Sequence, residues 1–263
     1  MARKAYPSDL SDDAWVLLHP LVPEAEDNPG KAPIDRREIV NAIFYVVRTG
    51  VQWRYLPHDF PNWRTVYEYF AKWSRDGTWD RMEQALRAKA RRASGRKVRT
   101  TLGIIDSQTT KTSESGGPRG YDGNKKTLGR KRNLVVDSVG LPITHVQTPA
   151  NVHDVKPAPE LIRRAKQREP KMKKMIGDQA YRGRPLQAAA AAVGVEMEVI
   201  EPKERPKKFV PIKHRWKVER TFAWLGRNRR LSKDVERTIG ASEGALAVAS
   251  IGVLLRRCTS KSP

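Results

Sequence analysis

The chain has 263 residues, enough for one large domain or two small ones with a real hydrophobic core. Its 51 Lys and Arg against 29 Asp and Glu leave a formal charge of +22, which points to a polyanionic partner. The single cysteine, Cys258, excludes a disulfide within the chain and a thiolate zinc site, and suits a reducing cytoplasm.

Nucleic acid is a better match to this charge than a membrane surface. No run approaches the roughly 20 apolar residues of a spanning helix, and the basic residues are spread along the chain rather than gathered beside an anchor. A basic ribosomal or scaffold protein would carry similar charge. Met1–Ser8 lacks the apolar core of a secretion signal.

The first hundred residues read as helical. Ser11-Asp12-Asp13 caps a helix that Pro20 and Pro23 end. Asn28-Pro29-Gly30 is a turn. Asp35 caps a helix to about Arg48, whose Ile39, Ala42, Ile43, Val46 and Val47 make one apolar face before Thr49-Gly50. Asn62 caps Trp63 to Arg75, and Trp79 to Arg92 forms the next helix. With Arg64, Lys72 and Arg75 exposed, this pair is either a helix-turn-helix reader of DNA or a plain helical bundle. Trp53, Tyr55, Trp63, Tyr67, Trp73 and Trp79 are expected in the core rather than as base-stacking platforms.

Ala93–Arg96 marks a boundary, giving a helical domain over 1–95 and a second domain over 96–263. Strands are expected at Leu102–Asp106, at Asn133–Asp137 and Ile143–Thr148 as a hairpin, at Lys174–Gly177 and at Met197–Ile200. Helices are expected at Val155–Lys166 after an Asp154 cap, from Pro185 to Gly194, at Trp216–Leu225 and at Ala241–Arg257. Glu201–Pro211 is a linker or loop. A hairpin followed by alternating elements predicts an α/β fold with a mixed sheet flanked by helices.

Three carboxylates stand out. Asp106 and Asp178 each follow a short apolar run, which places each at the end of a buried strand, and Glu219 lies on a basic helix. Such a trio can converge on one or two divalent cations, as phosphodiester chemistry requires. The substrate is anionic, and hard oxygen ligands hold magnesium or manganese where charge develops. Glu219 also has an ordinary explanation as an i,i+4 partner of Arg215. The two readings agree if Arg215 orients the carboxylate or holds a phosphate.

At these positions the chain resembles the DDE (Asp-Asp-Glu) transposases of bacterial insertion sequences, in particular the insertion-sequence-five family and its relatives. The resemblance rests on Ile105-Asp106-Ser107-Gln108, on Gly116–Asp122 with Lys125-Lys126 and Gly129–Arg132, and on Val136–Leu141. It continues through Thr148–Asp154, Gly177-Asp178-Gln179-Ala180-Tyr181 and Arg215–Trp224, with the block at Trp53–Pro57 in the helical domain. It implies a ribonuclease-H-like core and assigns Asp106, Asp178 and Glu219 as catalytic residues and ligands of Mg2+ or Mn2+, two ions per site. The related signature has a tyrosine where this chain has Ile212 and a lysine where it has Gly226; Arg227 can stand in for the latter.

Other candidates follow. Gly116 to Lys126 fails as a phosphate-binding P-loop, because Lys125 follows Asn124 rather than glycine. It is expected instead as a flexible basic loop on backbone phosphates, with Arg119, Lys125, Lys126, Arg130, Lys131 and Arg132 as contacts. Arg215, Lys217, Arg220, Arg227 and Arg64 complete the expected DNA contacts. Asp137 is a hairpin turn residue rather than a fourth ligand. His153, Asp154 and Tyr181 are supporting residues; His153 either packs near the site or serves it, and Asp154 caps a helix. The expected protein is a bacterial, cytoplasmic, nucleoid-associated transposase that pairs two DNA ends as a homodimer or higher assembly, with no membrane. The alternative is a DNA-binding protein derived from such an element, with the chemistry unused.

Overall fold

The computed structural model describes residues 3–24, 34–114, 117–200 and 215–259. The expected turn at Asn28–Gly30, the linker at Glu201–Pro211, Gly116 and Ile212 lie outside them. The chain divides into two compact units. The first holds residues 1–94, 225–232 and 240–263, and the second holds 95–224 and 233–239. The single boundary expected at residue 96 therefore differs, because segments 225–232 and 240–263 belong to the first unit.

In the first unit, caps set the helix starts. Ser11 accepts from the Ala14 N–H at the head of α1 (Asp12–Leu18), and Asp35 accepts from Arg37 and Glu38 at the head of α2 (Arg36–Thr49). Asn62 does the same for α3 (Trp63–Arg75), and α4 (Thr78–Ala93) follows after Asp76-Gly77. Trp73 and Trp79 are buried edge to face, with ring centroids 5.0 Å apart. Tyr55 and Tyr67, expected in the core, are exposed instead.

The last helix, α8 (Ile239–Thr259), contains the expected apolar helix at Ala241–Arg257 and is longer and more apolar than the sequence reading allowed. By length and composition it could span a membrane, yet its residues from Ser242 to Leu255 are almost all buried in the protein. It is a core helix, apolar on every side because it is surrounded. Its Gly252 lies against Phe44 of α2, and its Gly244 lies against Ser74 and Phe70 of α3.

The second unit is built on a mixed six-stranded sheet. Its strands are β1 (Leu102–Lys111), β2 (Gly120–Asp122), β3 (Thr127–Asp137), β4 (Pro142–Pro149), β5 (Lys174–Gly177) and β6 (Glu196–Val199). The order β2-β3-β1-β5-β6 is antiparallel at β2/β3 and β3/β1 and parallel at β1/β5 and β5/β6, while β4 pairs antiparallel with β3. The parallel steps are carried by α5 (Ala158–Arg168) and α6 (Arg184–Ala192), whose Leu161, Ile162, Ala165, Leu186 and Ala190 bury against Met175 and Met197. Pro185 sits in the first turn of α6, where its missing N–H costs nothing.

Two strands run beyond their expected ends. Strand β1 continues five residues past Asp106, so this aspartate ends the buried half of the strand rather than the strand itself. Strand β3 begins at Thr127, six residues before the expected Asn133, so Arg130, Lys131 and Arg132 stand in a strand, and Gly120–Asp122 of the expected loop is strand β2.

Candidate active site

Strand register places the first two carboxylates. Ile104 of β1 pairs with Ile176 of β5 in parallel. Asp106 lies two residues beyond the first and Asp178 two beyond the second. With neighbouring strands about 4.8 Å apart, the aspartates emerge side by side. Local bonds aim them: Asp106 accepts from its neighbour Ser107 N–H at 2.8 Å, and Asp178 accepts from Ala180 N–H at 2.9 Å.

Helix α7 (Trp216–Gly226) brings the third. Val218, Thr221 and Phe222 are buried at helical spacing, which turns Glu219 outward at half exposure. The helix is pinned to the β3–β4 hairpin. Thr221 Oγ1 donates to the Gly140 carbonyl at 2.6 Å, and Arg220 Nη2 donates to the Val139 carbonyl at 2.8 Å. Gly140 has φ +84°, and a Cβ there would stand 3.1 Å from both Arg220 and Thr221. Asp137 is a turn residue as expected; its carboxylate accepts from Val139 and Leu141 N–H groups.

The three carboxylates meet on one guanidinium. Arg215 stands 3.4 Å from Glu219, 3.4 Å from Asp178 and 4.0 Å from Asp106. The i,i+4 pair is therefore present, but it is one arm of a three-way bridge that helical spacing alone could not reveal. Burial pushes the Asp106 carboxyl up to about 6, with Asp178 and Glu219 adding to the rise and the Ser107 N–H and Arg215 opposing it. The Tyr181 phenol is buried and held well above its usual range by desolvation, then by Asp106, Asp154 and Asp178. It stays neutral, a hydroxyl beside the acidic group.

The donor set suits a hard divalent cation in kind, because all three groups are carboxylates already sharing one positive charge. Among the described residues no three acidic or imidazole groups stand ready to hold an ion as they are. The guanidinium is what these three surround.

The raised Asp106 has a measurable consequence. An acid whose folded pKa exceeds its unfolded value stabilises the fold fully below the unfolded value. That stability is lost as pH rises from 3.8 to about 6. Ionised Asp106 then costs up to about 3 kcal/mol. In a chelating buffer, Asp106→Asn is expected to raise unfolding stability by up to that amount at pH 8, and its advantage should shrink toward zero below pH 4. An equal offset at both pH values in urea titrations would count against this origin.

The remaining candidates are scattered. Arg130 and Arg132, expected as phosphate contacts, are buried in β3. Arg130 pairs with Asp234 at 3.1 Å and donates to the carbonyls of Pro118 and Glu236. Burial pushes Arg132 down to about 10, against the pull of Asp234. Lys131 pairs with Asp154 at 2.8 Å. Asp154 is thus a counterion and not the expected helix cap, since α5 begins only at Ala158 after Pro157. His153 is exposed. Arg119, Lys125 and Lys126 are exposed around the β2–β3 hairpin, whose turn is held by Asp122 accepting from the Asn124 and Lys125 N–H groups. Arg220 stacks on Trp216 and Trp224, 4.6 and 4.4 Å from their ring centres, and burial holds the Lys217 ammonium below its usual range. In the first unit, Arg64 and Arg227 are exposed.

Residues 98–253 match the family described as "Transposase DDE domain", a span that contains the whole carboxylate cluster. The chain belongs to the DDE transposases. Residues 10–100 match a second family, described as "Putative transposase of IS4/5 family", which ties the chain to insertion sequences. It is 30% identical over 113 residues to the "Insertion element IS402 uncharacterized 16.2 kDa protein" of Burkholderia cepacia, covering 41% of this chain and 76% of that one. It is 27% identical over 81 residues to "Uncharacterized protein y4sN" of Sinorhizobium fredii, covering 31% of this chain and 65% of that one.

Proposed function

We propose that this chain binds the inverted-repeat ends of its own mobile element, cuts DNA there by metal-dependent hydrolysis and transfers the freed 3′ ends to target DNA. The observation that carries this reading is the convergence of Asp106, Asp178 and Glu219, from β1, the end of β5 and α7, on a single cationic group. The sheet order, with antiparallel β3/β1 and parallel β1/β5/β6, supports a ribonuclease-H-like core. Mg2+ or Mn2+, two ions per site, would be held by the three carboxylates and would supply charge neutralisation and an activated water or 3′-hydroxyl.

The chain's own groups do the rest. Asp106 is ionised above about pH 6 and so presents an anionic ligand at neutral pH. Tyr181 remains a neutral hydroxyl next to the carboxylates. Exposed Arg119, Lys125 and Lys126 at the β2–β3 hairpin, with Lys217, Arg220 and Arg227, are assigned to backbone phosphates. The helical domain over residues 1–95, through α3, α4 and Arg64, is assigned to recognition of the ends. Pairing two ends calls for a homodimer or larger assembly, in a bacterial cytoplasm and on the nucleoid.

The test is excision from a plasmid carrying the gene between its native flanks. Wild type is expected to excise the element and to leave strand-transfer products. Cut ends without transfer would reduce the reading to a nuclease. Metal-independent binding to the flanks with no cut would favour a DNA-binding derivative with its chemistry unused.

A further inference from the structure

We infer that Arg215 is the resident cation of the carboxylate cluster, holding Asp106, Asp178 and Glu219 together until a divalent ion takes their oxygens from it. The inference rests on the reading of the three as a metal site. One guanidinium reaches carboxylates from three separate elements. Nη2 faces Asp178 at 3.4 Å, while Nε faces Glu219 at 3.4 Å and Asp106 at 4.0 Å. The Glu219 arm is local to α7, but the other two are tertiary and tie the start of that helix to β1 and the end of β5.

Physical chemistry makes the two cations rivals. A magnesium-like ion binds carboxylate oxygens at about 2.0–2.1 Å and demands their lone pairs in fixed directions. A guanidinium 3.4 to 4.0 Å from the same oxygens repels that ion and weakens the negative potential that would draw it in. Both cannot sit there. Arg215 is about one-third exposed, so its side chain has a way out toward solvent, and the carboxylates it leaves are only partly buried. The arrangement keeps the three acids gathered without metal, and it lowers apparent metal affinity by the free energy of breaking the bridge.

The test is calorimetric titration of the full chain with Mn2+, without DNA. Wild type is expected to bind in a manner that Asp178→Asn abolishes. Arg215→Gln should bind about tenfold more tightly or better, because the competing cation is gone. Arg215→Lys, which keeps the charge but loses the fork, should fall between. A second readout covers the chance that Arg215→Gln folds poorly. Its metal-free form should unfold at a lower temperature at pH 8, and Mn2+ should raise that temperature more than it does for wild type. If Arg215→Gln binds no tighter than wild type while Asp178→Asn still abolishes binding, the inference fails and the metal site stands. If wild-type binding is absent or insensitive to Asp178→Asn, the metal site fails, and this inference with it.

Discussion

Asp106→Asn, Asp178→Asn and Glu219→Gln are each expected to reduce DNA cleavage by about a thousandfold or more while leaving affinity for DNA nearly intact. The size follows from the job assigned to each group. A cation held at the reacting phosphate supplies several kcal/mol of charge stabilisation, and losing one of three ligands removes or misplaces it. Affinity should survive because most of it comes from phosphate contacts by Lys and Arg elsewhere. Chelation should silence wild type to the same level without releasing DNA. The three losses should not add, since each disables one shared centre. Near-normal cutting of a labelled end fragment by any of the three variants would remove that residue from the site.

The second large effect concerns the fold. Arg130→Met is expected to cost about 3–5 kcal/mol, because it removes the guanidinium paired with the buried Asp234 carboxylate and three of that group's hydrogen bonds. The two groups are 3.1 Å apart, with the arginine side chain 0% exposed and the aspartate 2%. Arg130 also donates to the carbonyls of Pro118 and Glu236, so its head ties β3 to the segment just before β2 and to the segment that follows α7. Pairing the change with Asp234→Asn should recover part of the loss, as expected for partners in contact. Denaturant unfolding of the four proteins decides the matter. A single variant within about 1 kcal/mol of wild type would mean the pair contributes little.

Those two residues also mark where sequence alone ran out. Helix caps at Ser11, Asp35 and Asn62, the strand at Lys174–Gly177 and the helical placement of Glu219 were legible because each is set by neighbours a few residues away. The trio of Asp106, Asp178 and Glu219 was legible as candidates for the same reason: two apolar runs and a motif. The basic run Arg130-Lys131-Arg132 was not legible as strand. A charge run normally faces water, and two of the partners that neutralise this one are remote: Asp234 is 104 residues away, and Asp154 belongs to a later turn. Without those partners in view, a buried strand and a solvated loop look alike. Likewise, helical spacing supplied the Arg215–Glu219 pair, but only the β1–β5 register brings Asp106 and Asp178 to the same guanidinium. For α8, hydropathy was informative but ambiguous, since burial in protein and burial in lipid select the same side chains.

The parallel pairing of β1 with β5 is short, three residues from each strand, and Gly103 fits against Met175, whose Sδ would lie 2.8 Å from any Cβ placed there. That ladder is in effect the gauge block of the cluster. Because side chains alternate, a slip of one residue would send Asp178 to the opposite face of the sheet, and Met175 and Ile176 of the same strand would change faces with it. The placement of the two aspartates is thus delegated to methionine and isoleucine packing buried in the sheet. Errors in this protein's chemistry can arise as errors of alignment in its core.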